Sequence, residues 1–167
     1  MLRLWRHAAG LLLALTLSAC GQSAPPRGVT DINGIMPALE LSMIRANDGA
    51  AVSARDYLGK VSVLYFGYTH CPDVCPTTLS NLSLALGSMG EDADKVRVLF
   101  ISVDPDRDTL PVLKSDVNAF APQIDGLRGS ANDIARLARR YRVAYSVTSA
   151  SATQAYEVTH SNSVFFF

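Results

Sequence analysis

Residues 65–82, YFGYTHCPDVCPTTLSNL, place two cysteines four positions apart, each followed by proline, where an apolar run gives way to a helical pattern. Such a pair supports three chemistries: a structural disulfide, a redox switch or part of a metal site. Proline is favoured in the first turn of a helix, so Pro76 marks a helix start beside it. Cys75 then lies at the helix N-terminus and Cys71 in the loop above. There the positive helix end and its free N–H groups stabilise thiolate. With near-helical residues between them, the two Cα atoms lie about 6 Å apart, within reach of a disulfide. The same pair can therefore bind metal when reduced and close when oxidised. A bridge across so short a loop stabilises little, which weakens the structural reading.

Two sulfurs seldom satisfy a metal, so a third ligand is expected. The histidines are His7, His70 and His160. His7 falls in an N-terminal processing segment. His70 directly precedes Cys71, where a lone loop histidine is usually solvated. His160 lies 85 residues after Cys75, in EVTHSNSVFFF, just before the last apolar run. Two thiolates and one imidazole form a soft donor set, suited to copper(I) and able to hold copper(II). Zinc usually takes a fourth ligand, and with His7, His70 and Cys20 set aside no further Cys or His supplies one. The third cysteine, Cys20, belongs to the N-terminus.

The elements that must position these residues alternate in type. ALELSMI, 38–44, alternates apolar and polar, and RANDG supplies a turn, predicting an N-terminal hairpin. Val61–Tyr68 (VSVLYFGY) and Val96–Val103 (VRVLFISV) read as buried strands. Between them Leu79, Leu82, Leu86 and Met89 recur at helical spacing. A second helix is expected from about Thr109, with Leu113, Val117 and Phe120 on one face. Ser130 with Asp133 resembles a capping box, opening a helix with Ile134, Leu137, Ala138 and Tyr141 in one stripe. Short strands are expected at 142–147, 154–158 and 163–167. Alternating strands and helices imply a largely parallel sheet, and a strand, cysteine pair and helix in succession narrow this to a thioredoxin-like α/β fold. Ligands in such sheets gather beyond the C-terminal ends of the parallel strands. A last strand running antiparallel would bring His160 to that edge. Asp104, after the second parallel strand, reaches the same edge as a candidate to support the ligands from behind; with Asp106 and Asp108 it is expected to cap the next helix and shape the rim. Met36, Met43 and Met89 read as tether or core residues.

The N-terminus reads as a lipoprotein signal peptide over 1–19. Arg3, Arg6 and His7 form a positive segment, Ala8–Leu17 an apolar one too short for an ordinary spanning helix, and LSAC ends it like a bacterial lipobox. The alternative is a plain secretory signal with an incidental cysteine. Lipidation of Cys20 would leave Cys71 and Cys75 as the only thiols. Residues 20–38, rich in Gly, Pro and small polar residues, read as a lipid-anchored tether. The expected location is the bacterial cell envelope, with the domain on the extracytoplasmic, periplasmic side, where thiols persist only if protected or re-reduced.

The chain of 167 residues fits one domain, and its 49% apolar and 18% charged residues are a globular composition. Basic and acidic residues balance at 15 each, with no Lys/Arg run, which argues against nucleic acid. Residues 1–19 hold two arginines and no acid, so a chain starting at Cys20 carries 13 basic and 15 acidic residues, a net of −2.

YFGYTHCPDVCPTTL, VLFISVDPDRDT and YEVTHSNSVFFF together resemble the Sco (SenC/PrrC) family of copper-binding, thioredoxin-like proteins, from about Leu39 to the end. The resemblance implies a membrane-tethered copper chaperone, rather than an enzyme, for assembly of the binuclear copper centre of cytochrome c oxidase. Its partners would be the copper-bearing oxidase subunit or another copper chaperone. By position, Cys71, Cys75 and His160 would be the copper ligands, with Cys71 and Cys75 also a redox-active disulfide. Family members are also regarded as thiol–disulfide reductases, so an extracytoplasmic oxidoreductase is the second reading. Against it stand the three residues between the cysteines, where C-x-x-C is usual, and Thr159-His160-Ser161 in the place of the cis-proline loop of thioredoxin-type enzymes. A peroxidase of related fold would need its cysteine in another motif. Family members continue into a further strand and helix, so 39–167 is expected to be a C-terminally incomplete domain.

Overall fold

The computed structural model describes residues 28–151, 153 and 155–167; the expected signal peptide and Cys20 lie outside them. Two units are separated between Ile35 and Met36, and the site lies in the second, Met36–Phe167. That unit opens with a hairpin of β1 (Ser42–Arg45) and β2 (Ala51–Ser53). Its turn holds Gly49 at φ 78°, a conformation glycine adopts without penalty. β1 starts later than the alternation suggested because Ala38–Glu40 are held elsewhere: Tyr141 Oη donates to Ala38 O at 3.0 Å and accepts from Glu40 N at 2.9 Å.

β3 (Val61–Gly67) leads into α1 (Val74–Ser88), and β4 (Val96–Ser102) into α2 (Leu110–Asn118). There follow β5 (Ile124–Arg128), α3 (Ala131–Arg140), β6 (Tyr145–Thr148), β7 (Glu157–His160) and β8 (Val164–Phe166). One six-stranded sheet has the order β2-β1-β5-β4-β3-β8; β6 and β7 form a separate two-stranded ribbon. β3, β4 and β5 are mutually parallel, with β1 and β8 antiparallel on either side. Leu64–Phe66 and Val98–Ile101 are fully buried, as continuous apolar runs in central parallel strands require.

Side-chain alternation sorts the helices into layers. Tyr65, Gly67, Phe100 and Gly126 share one sheet face. A Cβ on Gly67 would lie 2.9 Å from Cys75 Sγ, and one on Gly126 2.7 Å from Leu113 Cγ, so α1 and α2 cover that face. Phe165 pairs with Leu64 on the opposite face, where it meets Tyr141 at the end of α3 with ring centroids 5.9 Å apart.

The structure departs from several expectations. Met89 does not extend the apolar stripe of α1: the helix ends at Ser88, and Met89 is 42% exposed ahead of a 3₁₀ turn begun by Gly90 at φ 58°. β5 was not foreseen, since IDGLR is short and interrupted by a carboxylate and a glycine. The space over Gly126 is taken by Leu113, so the glycine serves the packing of α2 rather than a turn. Neither Asp104 nor Asp108 caps α2, whose N-cap Thr109 makes no side-chain cap bond. Both carboxylates are buried and bonded elsewhere.

Candidate metal centre

Cys75 falls in the first turn of α1, one residue before Pro76, and Cys71 in the loop above; both are free thiols. Cys71 is half-buried and Cys75 is 2% exposed. β7 ends at His160, at the C-terminal edge of the parallel strands. β8 runs antiparallel to β3, as the edge argument required. Cys71 Sγ, Cys75 Sγ and a His160 ring nitrogen thereby come within 4.8 Å of one another. Ligand atoms sharing one ion at bond lengths of about 2.0–2.3 Å lie no more than about 4.6 Å apart, so little tightening would close this set on a metal.

The donor atoms are oriented for this. His160 Nε2 lies 3.2 Å from Cys75 Sγ, while Nδ1 lies 3.0 Å from the Ser161 carbonyl oxygen. A carbonyl only accepts, so in the neutral ring Nδ1 carries the proton and Nε2 presents its lone pair to the sulfurs. The ring is held edge-on by Tyr68, at 5.8 Å and 88°, and by Tyr65, at 6.1 Å and 75°.

The two thiols differ in character. Burial works against ionisation of Cys71, but the backbone N–H groups of Cys75, Asp73 and Val74 outweigh it and hold that thiol below its ordinary value. The Cys75 N–H reaches Cys71 Sγ at 3.4 Å. At Cys75 burial dominates and pushes the thiol up to about 12. Cys71 is thus the more readily ionised of the two, and Cys75 would give up its proton as a metal replaces it.

The other candidates lie around this group. His70 has its side chain half exposed, near Thr69 Oγ1 at 3.0 Å and Asp108 Oδ1 at 3.7 Å, outside the group. Asp108 accepts from Thr69 Oγ1 and Ser102 Oγ, both at 2.6 Å, tying the cysteine loop to the end of β4. Asp104 accepts from Arg107 Nε and Tyr156 Oη, both at 2.5 Å. Sequence reasoning missed Tyr65, Tyr68, Asn162, Arg107 and Tyr156. Tyr65 in β3 and Tyr68 just after it were hidden in an apolar run with no periodicity to mark them. A groove of about 310 Å³ opens beside the group, lined by Tyr68, Cys71, Val74, Val158, His160 and Asn162 among others.

A thioredoxin-like α/β domain with a Cys–Cys–His group at its strand ends defines the class of protein. The SCO1/SenC family model matches residues 43–167, and the chain belongs to that family. The Arabidopsis thaliana protein named Protein SCO1 homolog 1, mitochondrial, is 40% identical over 141 residues, 84% of this chain and 40% of that protein. The chain spans about 40% of the length of the curated relatives it matches. Bradyrhizobium japonicum ScoI, solved with copper bound, is 39% identical at TM-score 0.69, covering 76% of this chain and 80% of that one. BsSco, reported with a disulfide switch and as a member of the Sco family of cytochrome c oxidase assembly proteins, is 28% identical at TM-score 0.50, covering 60% and 61%.

Proposed function

We propose that this protein carries one copper ion on Cys71, Cys75 and His160 and delivers it to the copper-bearing subunit of cytochrome c oxidase. On this reading its partner is that subunit or another copper chaperone, and lipid on Cys20 anchors it to the extracytoplasmic side of the bacterial envelope, with 20–38 as the tether. The observation that carries the reading is the convergence of two sulfurs and a His160 ring nitrogen within 4.8 Å. The donor set is soft enough for copper(I) and includes the nitrogen that copper(II) favours. Relatives solved with copper bound support the cargo, and BsSco's membership of an oxidase-assembly family supports the destination.

Thiol–disulfide exchange is the second reading, favoured by the adjacency of the two free cysteines and by the disulfide switch of BsSco. Mutation of His160 separates the two, because disulfide exchange depends on thiolate character and access and needs no imidazole. Metal analysis and absorption spectra of the reduced protein should show one copper per chain, with tight binding abolished in Cys71→Ser and Cys75→Ser. His160→Ala should weaken binding at least about tenfold, or about 1.4 kcal/mol, while the cysteine pair still oxidises and reduces reversibly. Full support of oxidase assembly by a His160→Ala protein that has lost copper would make the thiol chemistry the biological one.

A further inference from the structure

The ribbon that bears His160 pairs with no strand of the six-stranded sheet. Its backbone is tied to that sheet only through the short link from His160 to β8, and side chains hold the rest of the ribbon over the cysteines. Beyond the end of β7, Asn162 Oδ1 accepts from Tyr65 Oη at 3.2 Å and Thr78 Oγ1 at 3.3 Å. In its middle, Tyr68 Oη donates to Val158 O at 3.1 Å. At its start, Tyr156 Oη donates to Asp104 Oδ1 at 2.5 Å.

The attachment at Tyr156 is the most heavily built. Asp104 has no solvent exposure, and a buried carboxylate is costly unless its oxygens are satisfied. Arg107 Nε satisfies the second oxygen at 2.5 Å, and the Asp104 N–H is bonded to Ser102 Oγ at 3.1 Å. The Arg107 guanidinium also lies 4.1 Å from the centroid of the Tyr156 ring and 5.8 Å from that of Tyr68, the ring that meets His160 edge-on. Arg107 thus joins the end of β4, the start of β7 and a wall of the Cys–Cys–His group.

We propose that Tyr156 and Arg107, gathered on Asp104, are positioning residues for copper binding: a latch that pins the start of β7 so that His160 Nε2 faces the two sulfurs. The inference rests on the copper reading and adds a consequence. Opening the latch withdraws the imidazole and leaves a two-thiolate site, so the third ligand is removable without disturbing the cysteines.

Tyr156→Phe tests this, since it keeps the ring under Arg107 and removes only the bond to Asp104; Arg107→Met is the second variant. In the metal-free protein, amide hydrogen exchange over Glu157–His160 should rise in both, while exchange in β4 and α3 stays unchanged. Copper affinity should fall roughly tenfold, and the copper(II) spectrum should lose its nitrogen coupling. Tyr156→Phe should cost nothing further in a His160→Ala background, because its effect passes through His160. Unchanged exchange in both variants, or an equal loss of affinity in both backgrounds, overturns the latch. If His160→Ala leaves affinity intact, the Cys–Cys–His reading falls, and the exchange result alone then upholds or overturns the latch.

Discussion

Three residues separate two thiols of opposite character: Cys71, half-buried and held by N–H groups, and Cys75, buried and hard to ionise. The difference follows from the α1 N-terminus, which points its amides at the loop sulfur and encloses the helix sulfur against β3. Gly67 makes that enclosure possible. A Cβ there would lie 2.5 Å from Phe100 Cε2 and 2.9 Å from Cys75 Sγ, so both must yield if it is added. Gly67→Ala should therefore cost about 1–3 kcal/mol by overpacking and weaken copper binding by displacing Cys75. Urea unfolding and copper titration measure the two effects. A variant unaltered in both would mean that Phe100 and Cys75 yield freely.

At the scale of elements, α3 separates stability from the site. Its N-terminus is a complete capping box: Ser130 Oγ accepts from Asp133 N at 3.2 Å, and Asp133 Oδ2 accepts from Ser130 Oγ at 2.6 Å and Ser130 N at 3.3 Å. Ile134, Leu137, Ala138 and Tyr141 are all buried, on the sheet face away from the cysteines. Ser130→Ala should cost about 1 kcal/mol and leave copper affinity unchanged. Thermal unfolding checks the first part and copper titration the second. A loss of affinity in this variant would couple α3 to the site, which the layering does not provide for.

Across the whole molecule, buried and capping carboxylates pull stability in opposite directions as pH changes. Hydrogen bonds from Ser53 hold Asp56 below the ordinary carboxylate value, and those from Ser130 do the same for Asp133. Their contribution is present at neutral pH and lost on acidification. Asp125, on β5, behaves oppositely. Burial raises it and outweighs the Arg45 guanidinium 3.7 Å away. The native state then takes up a proton at a pH where the unfolded chain is still ionised. Asp125 costs stability at neutral pH, and the cost disappears as pH falls through its raised value. Asp125→Asn should accordingly be more stable than the parent protein near pH 7, with the advantage shrinking to nothing by about pH 4, near the ordinary carboxylate value. Urea midpoints of both proteins across this range check it; an advantage that grows on acidification would reverse the sign.

Residue types and local spacing were enough to identify Cys71, Cys75 and His160 as candidates, the two central strands, and the capping box of α3. Apart from His160, reached by setting aside His7 and His70 and by the sheet edge it would meet, each is encoded within a few neighbouring positions: a soft ligand next to proline, an unbroken apolar run, a serine three residues before an aspartate. Other features depend on what lies across space. Gly126 reads as a strand breaker until Leu113 is seen filling the room its missing Cβ leaves. Asp104 reads as a helix cap until Arg107 and Tyr156 are found on its two oxygens, the latter 52 positions away. The direction of the His160 ring was decided by the Ser161 carbonyl and the edges of Tyr65 and Tyr68. Hydrogen bonds and packing between distant segments leave no period in the chain, so only the folded arrangement could assign them.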